Sequence, residues 1–363
     1  LLDLQKLFNR KGHELTMKKL GLVLMLLAMM AVPMLACGFP LPAGTGTMAV
    51  TKTICADGED PATCQARQDA FQMMSTIQSA AVPDWSMSML VETNDPTQDT
   101  NVTIKGSIEY VVVPSDEGLG ANIHAVIEEG SSVSAEGTDT ITGAELIIIG
   151  NTLYAREAGD ETWTSQTMTP DEFSSFGMIL GLAGTTGTGI DFYTDPATFS
   201  VTAEPDAEFE GQTMKVQNLD VDLAGFASSD ALSGLMEQGA EAGGGLAEGF
   251  EEGAGMSMQD LGMMLPLVFM MATEADAGTV LHIGADDGYI HYVEDFFVLN
   301  IDLPAFEEGA EATKLNFHYS ISGHINRINE AITIEAPTNV IEGEVPDLFG
   351  GANLGDSLFG GME

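Results

Sequence analysis

Basic residues are what this chain has least of. Twelve Lys and Arg stand against 55 Asp and Glu in 363 residues, a formal net charge of −43. Charged residues make up only 18% of the chain, so the acidity comes from missing bases rather than from abundant acids. A field this negative repels phosphates, which excludes nucleic acid as a partner. It repels anionic membrane surfaces as well, so any membrane attachment needs another cause. Cation binding and plain solubility are both compatible with it. Cysteine is scarce too, with three. Apolar residues are not scarce: at 44% they argue against a disordered acidic tail. The length allows one large domain or two small ones, with room for a sizeable core.

Met17-Lys18-Lys19 is a short basic segment, followed by an apolar run from Leu20 to Val32 and by Pro33-Met34-Leu35-Ala36-Cys37. These are the basic, apolar and cleavage regions of a secretory signal, here 17–36. Residues 1–16 fit no such scheme and read as an over-extended translation start. Met34-Leu35-Ala36-Cys37 resembles the bacterial lipobox, with Met34 where Leu is usual, and predicts Cys37 as the lipidated (palmitate-type) first residue. The alternative is an uncleaved anchor, because Leu20 to Ala36 is 17 residues, just long enough to span a bilayer. Either way the bulk of the chain lies outside the cytoplasm. Acyl chains hold a protein on a membrane whatever its charge. From Cys37 onward 7 bases face 53 acids. Cys55 and Cys64 remain as a pair, and an oxidising compartment favours a disulfide between them. Zinc is the alternative, though two thiols without a nearby His make a poor site.

Residues 37–60 read as a lipidated tether. Asp60-Pro61 is a helix start, with Asp as N-cap and Pro in the first turn. The stripe Ala70, Met73, Met74, Ile77 and Ala81 predicts an amphipathic helix over 61–81. Alternation then predicts strands at 86–93, 102–112, 121–127, 131–140, 144–149, 152–156 and 162–167, an antiparallel meander with one wet face. Thr169-Pro170-Asp171-Glu172 is a capping box that opens an apolar helix over 170–183. Strands follow at 198–203 and 213–223, joined through a turn at Phe209-Glu210-Gly211-Gln212. A Gly/Glu-rich insertion occupies 228–257, and Ser257 caps a second apolar helix over 258–272. Closing strands are predicted at 279–284, 289–302, 313–322 and 328–335, before a loosely ordered tail at 346–363.

Chemistry-bearing constellations are sparse, and the chain reads as a non-enzyme with no metal and no cofactor. His318 falls with Asn316, Ser320 and Ser322 on a wet face, which makes it a solvated imidazole rather than a ligand. Asp286-Asp287-Gly288 lacks the alternating oxygen ligands of a calcium loop and reads as a hairpin turn. The informative signal is the apolar helices. In the second, Leu261, Leu265, Val268 and Ala272 form one stripe, and Met263, Met264, Leu267, Met270 and Met271 another. A helix apolar on all sides must be covered on all sides. Either the helices plug the core, or a hydrophobic ligand covers the second stripe, a setting that suits flexible methionine.

The order of parts resembles the LolA/LolB-type fold, and within it the LppX/LprG-like lipoproteins. The likeness is carried by the helix before the first strand and by Ala144-Glu145-Leu146-Ile147-Ile148-Ile149-Gly150-Asn151-Thr152-Leu153-Tyr154-Ala155-Arg156, ending near Trp163. It is carried also by Glu208-Phe209-Glu210-Gly211-Gln212-Thr213-Met214-Lys215-Val216, by Asp287-Gly288-Tyr289-Ile290, and by Ile332-Thr333-Ile334-Glu335-Ala336-Pro337. The resemblance implies an α+β fold over 61–345, a curved antiparallel β half-barrel with apolar helices across its concave face. It implies a hydrophobic cavity lined by Ile104, Ile108 and Ile123 from the strands, by Phe173, Phe176, Ile179 and Leu182 from the first apolar helix, and by Met263, Met264, Leu267, Met270 and Met271 from the second. The implied function is binding or ferrying the acyl chains of a lipid or lipoprotein at a bacterial cell envelope, as a lipid-anchored monomer on the extracytoplasmic face. Two rivals stand beside it. One is a sensor or interaction module that binds an envelope protein partner, and the other is a structural surface lipoprotein with a filled core.

Overall fold

The computed structural model describes residues 54–94, 99–113, 121–128, 130–134, 137–141, 143–168, 193, 195–227, 269, 272–303 and 313–343. Within them the chain forms helices α1 (Pro61–Met74) and α2 (Leu223–Ala227). Its strands are β1 (Ser79–Thr93), β2 (Thr100–Val112), β3 (Ala121–Ile127), β4 (Gly130–Ser134), β5 (Gly137–Ile141), β6 (Ala144–Ile149), β7 (Thr152–Glu157), β8 (Trp163–Thr167), β9 (Phe199–Phe209), β10 (Gln212–Val221), β11 (Ala272–Gly284), β12 (Ile290–Leu303), β13 (Thr313–His324) and β14 (Val340–Glu342). All fourteen strands join one open, curved sheet. Its order is β14-β8-β7-β6-β3-β2-β1-β13-β12-β11-β10-β9, with β4 and β5 as a side hairpin on β2. Every pairing is antiparallel except β14 on β8.

Period-two alternation explains the layering. In β2, Val102, Ile104, Ile108 and Tyr110 are buried, and in β3 so are Ala121, Ile123, Ala125 and Ile127. Register carries that face sideways. Ile108 faces Ala125, Ala125 faces Leu146, and Leu146 faces Ala155 on one side. On the other, Met89 faces Tyr319, Tyr319 faces Phe297, and Phe297 faces Ala277. The result is a continuous apolar inner face. The opposite face carries cross-strand polar pairs such as Ser88 with Ser320 (2.9 Å) and Asn316 with Glu92 (3.0 Å).

Strand β1 changes parity part-way. Ala80 and Val82 face inward, then the register shifts between Val82 and Trp85, and Trp85, Met87, Met89 and Val91 take over. Pro83 and Asp84 form the irregularity, where proline's missing N–H costs no ladder bond. Opposite Trp85 lies Gly106. A Cβ there would overlap the Val126 carbonyl oxygen and come 2.8 Å from Trp85 Nε1. Gly106→Ala is therefore expected to destabilise the fold by about 1–3 kcal/mol through overpacking and to shift Trp85 emission. Urea unfolding read by tryptophan fluorescence checks it, with Trp163 as the other fluorophore; unchanged midpoint and spectrum would show that the strands can part at no cost.

Helix α1 begins as its sequence predicts, the Asp60 carboxylate accepting from Thr63 N at 2.9 Å. It ends at Met74, not at 81. The Ser75 hydroxyl donates to Gln72 O and the Thr76 hydroxyl to Met73 O, local bonds that compete with helix propagation. Ala81, expected on the helix stripe, sits in β1 and bridges Asn326. The expected strand 131–140 is two strands, β4 and β5, paired antiparallel from Gly130 with Ile141 to Ser134 with Gly137. The expected strand 328–335 is not a strand. Strand β13 is already flanked by β1 and β12, so the segment has no free edge beside it. Arg327 and Asn329 turn away with φ of 51° and 59°, and the chain runs on to pair β14 with the edge of β8.

The expected helix over 170–183 lies outside the described residues, and so does most of 258–272. Ala272 belongs to β11 rather than to that helix. Phe269 packs against the buried cluster, to which Met168 and Tyr193 belong.

Candidate functional site

The cluster that packs the inner face joins α1 (Ala70, Met74) to residues from β1 through β13, with α2 adding Leu223 and Phe226. Ile104, Ile108 and Ile123, expected to line a cavity, are 3%, 7% and 2% exposed and lie together on this face. Phe173, Phe176, Ile179, Leu182, Met263, Met264, Leu267, Met270 and Met271 lie outside the described residues, as does Cys37.

Helix α1 is fixed over one end of the sheet by a disulfide and a buried ion pair. Cys55 and Cys64 are bonded, with Cα atoms 5.4 Å apart. Closing so short a loop contributes about 2–3 kcal/mol by the chain-entropy account. Glu59 and Cys55 with Cys64 are the one group of potential metal ligands among the described residues. Their ligand atoms are already committed, the sulfurs to each other and the carboxylate to Arg67. Arg67 is fully buried and Glu59 is 1% exposed. The guanidinium meets both Glu59 oxygens and also donates to Gln217 Oε1 and Ile54 O, each at 3.3 Å. Gln217 in turn donates to Thr63 O at 3.1 Å, which ties the helix to β10.

Polar atoms interrupt the apolar face at a few points, and sequence reasoning did not single them out. Asp295 projects inward from β12, its register partners being Ile321 on β13 and Thr279 on β11. It is 1% exposed. The Thr279 hydroxyl donates to Asp295 Oδ1 at 2.6 Å and lies 2.8 Å from the Tyr193 hydroxyl. Burial pushes the Asp295 carboxyl up to about 7; the Thr279 bond opposes this and the neighbouring Glu294 charge adds to it. Asp295 Oδ2, Tyr110 Oη and Trp85 Nε1 are buried without a hydrogen-bond partner. Burial also pushes the Tyr110 and Tyr319 phenols up, Tyr319 with a smaller push from Asp295. The signal for Asp295 was in the sequence: an acid at an inward position of Val293-Glu294-Asp295-Phe296-Phe297 breaks the alternation.

The described histidines lie in ion pairs, in ring contacts or in solvent. His318 is exposed on the outer face, as its parity predicts. His124 Nε2 meets Glu145 Oε1 at 2.8 Å; Glu145 also binds Arg156, whose guanidinium lies 4.5 Å over the Trp163 ring. His291 joins Asp287 Oδ2 at 2.9 Å and the Ile325 carbonyl at 3.1 Å, so the Asp-Gly turn is held by its own strand. On the outer face His324 stacks on Phe209 at 4.5 Å and contacts Tyr292, which also meets His282. Burial, then the His324 charge, lowers the His282 pKa.

No protein-family model matches this sequence, and no curated protein matches it. Solved structures do. The lipoprotein LppX of Mycobacterium tuberculosis is 10% identical, with a TM-score of 0.33, over 76% of this chain and 100% of that one. LprF of Mycobacterium bovis is 11% identical, with a TM-score of 0.35, over 77% and 98%. A putative outer membrane lipoprotein-sorting protein domain from Vibrio parahaemolyticus is 8% identical, with a TM-score of 0.22, over 74% and 93%. The chain is similar to LppX-like and LolA-like proteins. A likeness this distant says nothing of a ligand.

Proposed function

We propose that this chain is a non-enzymatic, extracytoplasmic lipoprotein of a bacterial cell envelope that holds the acyl chains of a lipid or lipoprotein against the inner face of its sheet. One observation supports this reading above the rest. A largely apolar inner face runs in register across β7, β6, β3, β2, β1, β13, β12 and β11, in a chain that is otherwise strongly acidic. Such a face suits a long apolar ligand, because each methylene buried contributes about 0.8 kcal/mol. Cys37 carries the anchor, 37–60 is the tether and 61–345 the binding domain, so that the cargo is bound or ferried close to the membrane.

Native mass spectrometry with lipid extraction, on the form that starts after Cys37 and is purified from a bacterial envelope, tests it. Near-stoichiometric co-purifying lipid is expected. A clean apo mass with no uptake of added fatty acid or phospholipid would favour a filled core or a protein-binding module instead.

A further inference from the structure

We infer that Asp287 and His291 form a proton-operated latch, which when protonated holds the β11–β12 turn against the end of α1 and releases it on deprotonation. The geometry sets the proton count. His291 Nδ1 lies 3.1 Å from the Ile325 carbonyl oxygen, and Nε2 lies 2.9 Å from Asp287 Oδ2. A backbone carbonyl only accepts, and so does an ionised carboxylate. A neutral imidazole has one N–H and cannot serve both. The closed arrangement therefore holds one proton more than a neutral imidazole and a free carboxylate carry between them. Among the described histidines, His291 alone has both ring nitrogens in hydrogen bonds. Those bonds belong to the protonated form, so their contribution is present in acid and lost as the pH rises. The span is the one over which histidines exchange their proton, about pH 5 to 8.

Burial decides which bond is lost. His291 is 8% exposed and Ile325 fully buried, whereas the Asp287 side chain is 34% exposed. An imidazole with one N–H keeps it on the carbonyl, which water cannot reach. Its Nε2 lone pair then faces the Asp287 carboxylate, and the two repel. Asp287 swings to solvent and draws the turn 285–289 with it, because Asp287 Oδ1 also holds Tyr289 N at 3.1 Å. What ties that turn to α1 is slight. A Cβ at Gly288 would lie 4.0 Å from Met73 Cγ, and Ile290 N meets only the Met74 sulfur, at 3.3 Å. Tyr289 Oη accepts from Asn329 Nδ2 at 3.1 Å. The other charged groups of the turn and of the 325–330 segment are occupied or in water. Arg327 is paired with Glu109 and Glu330, and Asp286 is exposed. The latch thus closes the corner of the inner face where Met74 is buried beside Ile290, and it works whatever that face holds.

The test reads hydrogen exchange by mass spectrometry on the full chain in detergent, at about pH 5 and about pH 8. Rates are corrected for the intrinsic pH dependence of exchange. In the parent, protection of a peptide covering 285–290 is expected to fall about tenfold between the two, the scale of one hydrogen bond to a charged group. Asp287→Asn keeps every other titrating group and so isolates the pair. Its Oδ1 can still accept from Tyr289 N while its Nδ2 donates to a neutral Nε2, so the turn should stay protected at both pH values. Ring-nitrogen NMR gives a second measurement. In acid both nitrogens of His291 should carry protons, the signal being assigned by its loss in His291→Gln. Equal protection of the parent at both pH values would overturn the latch. So would a fall of the same size in Asp287→Asn, a turn left open in that variant throughout, or a His291 ring with one bare nitrogen in acid.

Discussion

Replacing Glu59 by alanine is expected to cost about 3–5 kcal/mol of folding stability, the penalty for stranding a buried charge. Arg67 has no exposure to water and Glu59 almost none. Without the carboxylate, the guanidinium keeps only the Gln217 and Ile54 oxygens at 3.3 Å. The Ala56 N–H loses its acceptor too, since it donates to Glu59 Oε2 at 2.8 Å. The pair itself contributes much less than its removal costs, because both ions have already paid desolvation. A double change, Glu59→Leu with Arg67→Met, should accordingly recover most of the loss. Urea unfolding of the single and double variants measures both effects. A single-variant loss below about 1 kcal/mol would mean that water reaches Arg67 and that α1 is not sealed onto β10.

The second large effect is a pH dependence that belongs to Asp295. Its carboxyl rises from 3.8 to about 7 on folding, chiefly through burial. Between those values the folded chain holds a proton that the unfolded chain has released. Stability from this group is therefore complete below about pH 4 and is lost as the pH rises through 7. The amount is on the order of 4 kcal/mol. Groups with depressed values, such as Glu145 beside Arg156 and His124, act in the opposite sense, so the wild-type curve alone does not isolate the effect. The difference between wild type and Asp295→Asn does. Measured by urea unfolding at pH 4 and pH 8, that difference should move toward the asparagine variant by several kcal/mol. Parallel curves would mean that Asp295 stays ionised in the fold.

Most of the sheet was legible in the sequence because one wet face enforces alternation. Strand β3 has the predicted bounds, and the Glu210-Gly211 turn is where its residue types place it, with φ of 50° and 80°. Failures came where a local pattern met a tertiary limit. The alternation in 328–335 is real, but a strand needs an open neighbour, and which edges are free is a property of the whole sheet. The stripe through Ala81 is apolar in the right rhythm, yet Ser75 and Thr76 end the helix first. The inward burial of Ile104, Ile108 and Ile123 could be read from periodicity. The unpartnered polar atoms on that face could not, since a missing hydrogen-bond partner is defined by the surroundings in space. Asp295 came nearest to being visible, as a charge written into an inward position.

An open sheet has two rims, and β9 forms one of them. Its sequence Phe199-Ser200-Val201-Thr202-Ala203-Glu204-Pro205-Asp206-Ala207-Glu208-Phe209 is largely exposed, and its pairing with β10 slips between Met214 and Val216. Pro205 removes a donor from the ladder, while Glu204, Asp206 and Glu208 lie two residues apart and so share a side of the strand. Two such rims brought together would meet like charges and an interrupted bonding line, the means by which proteins keep a bare strand from templating another. An acidic, proline-interrupted rim thereby discourages copies of this chain from stacking edge to edge into fibrils.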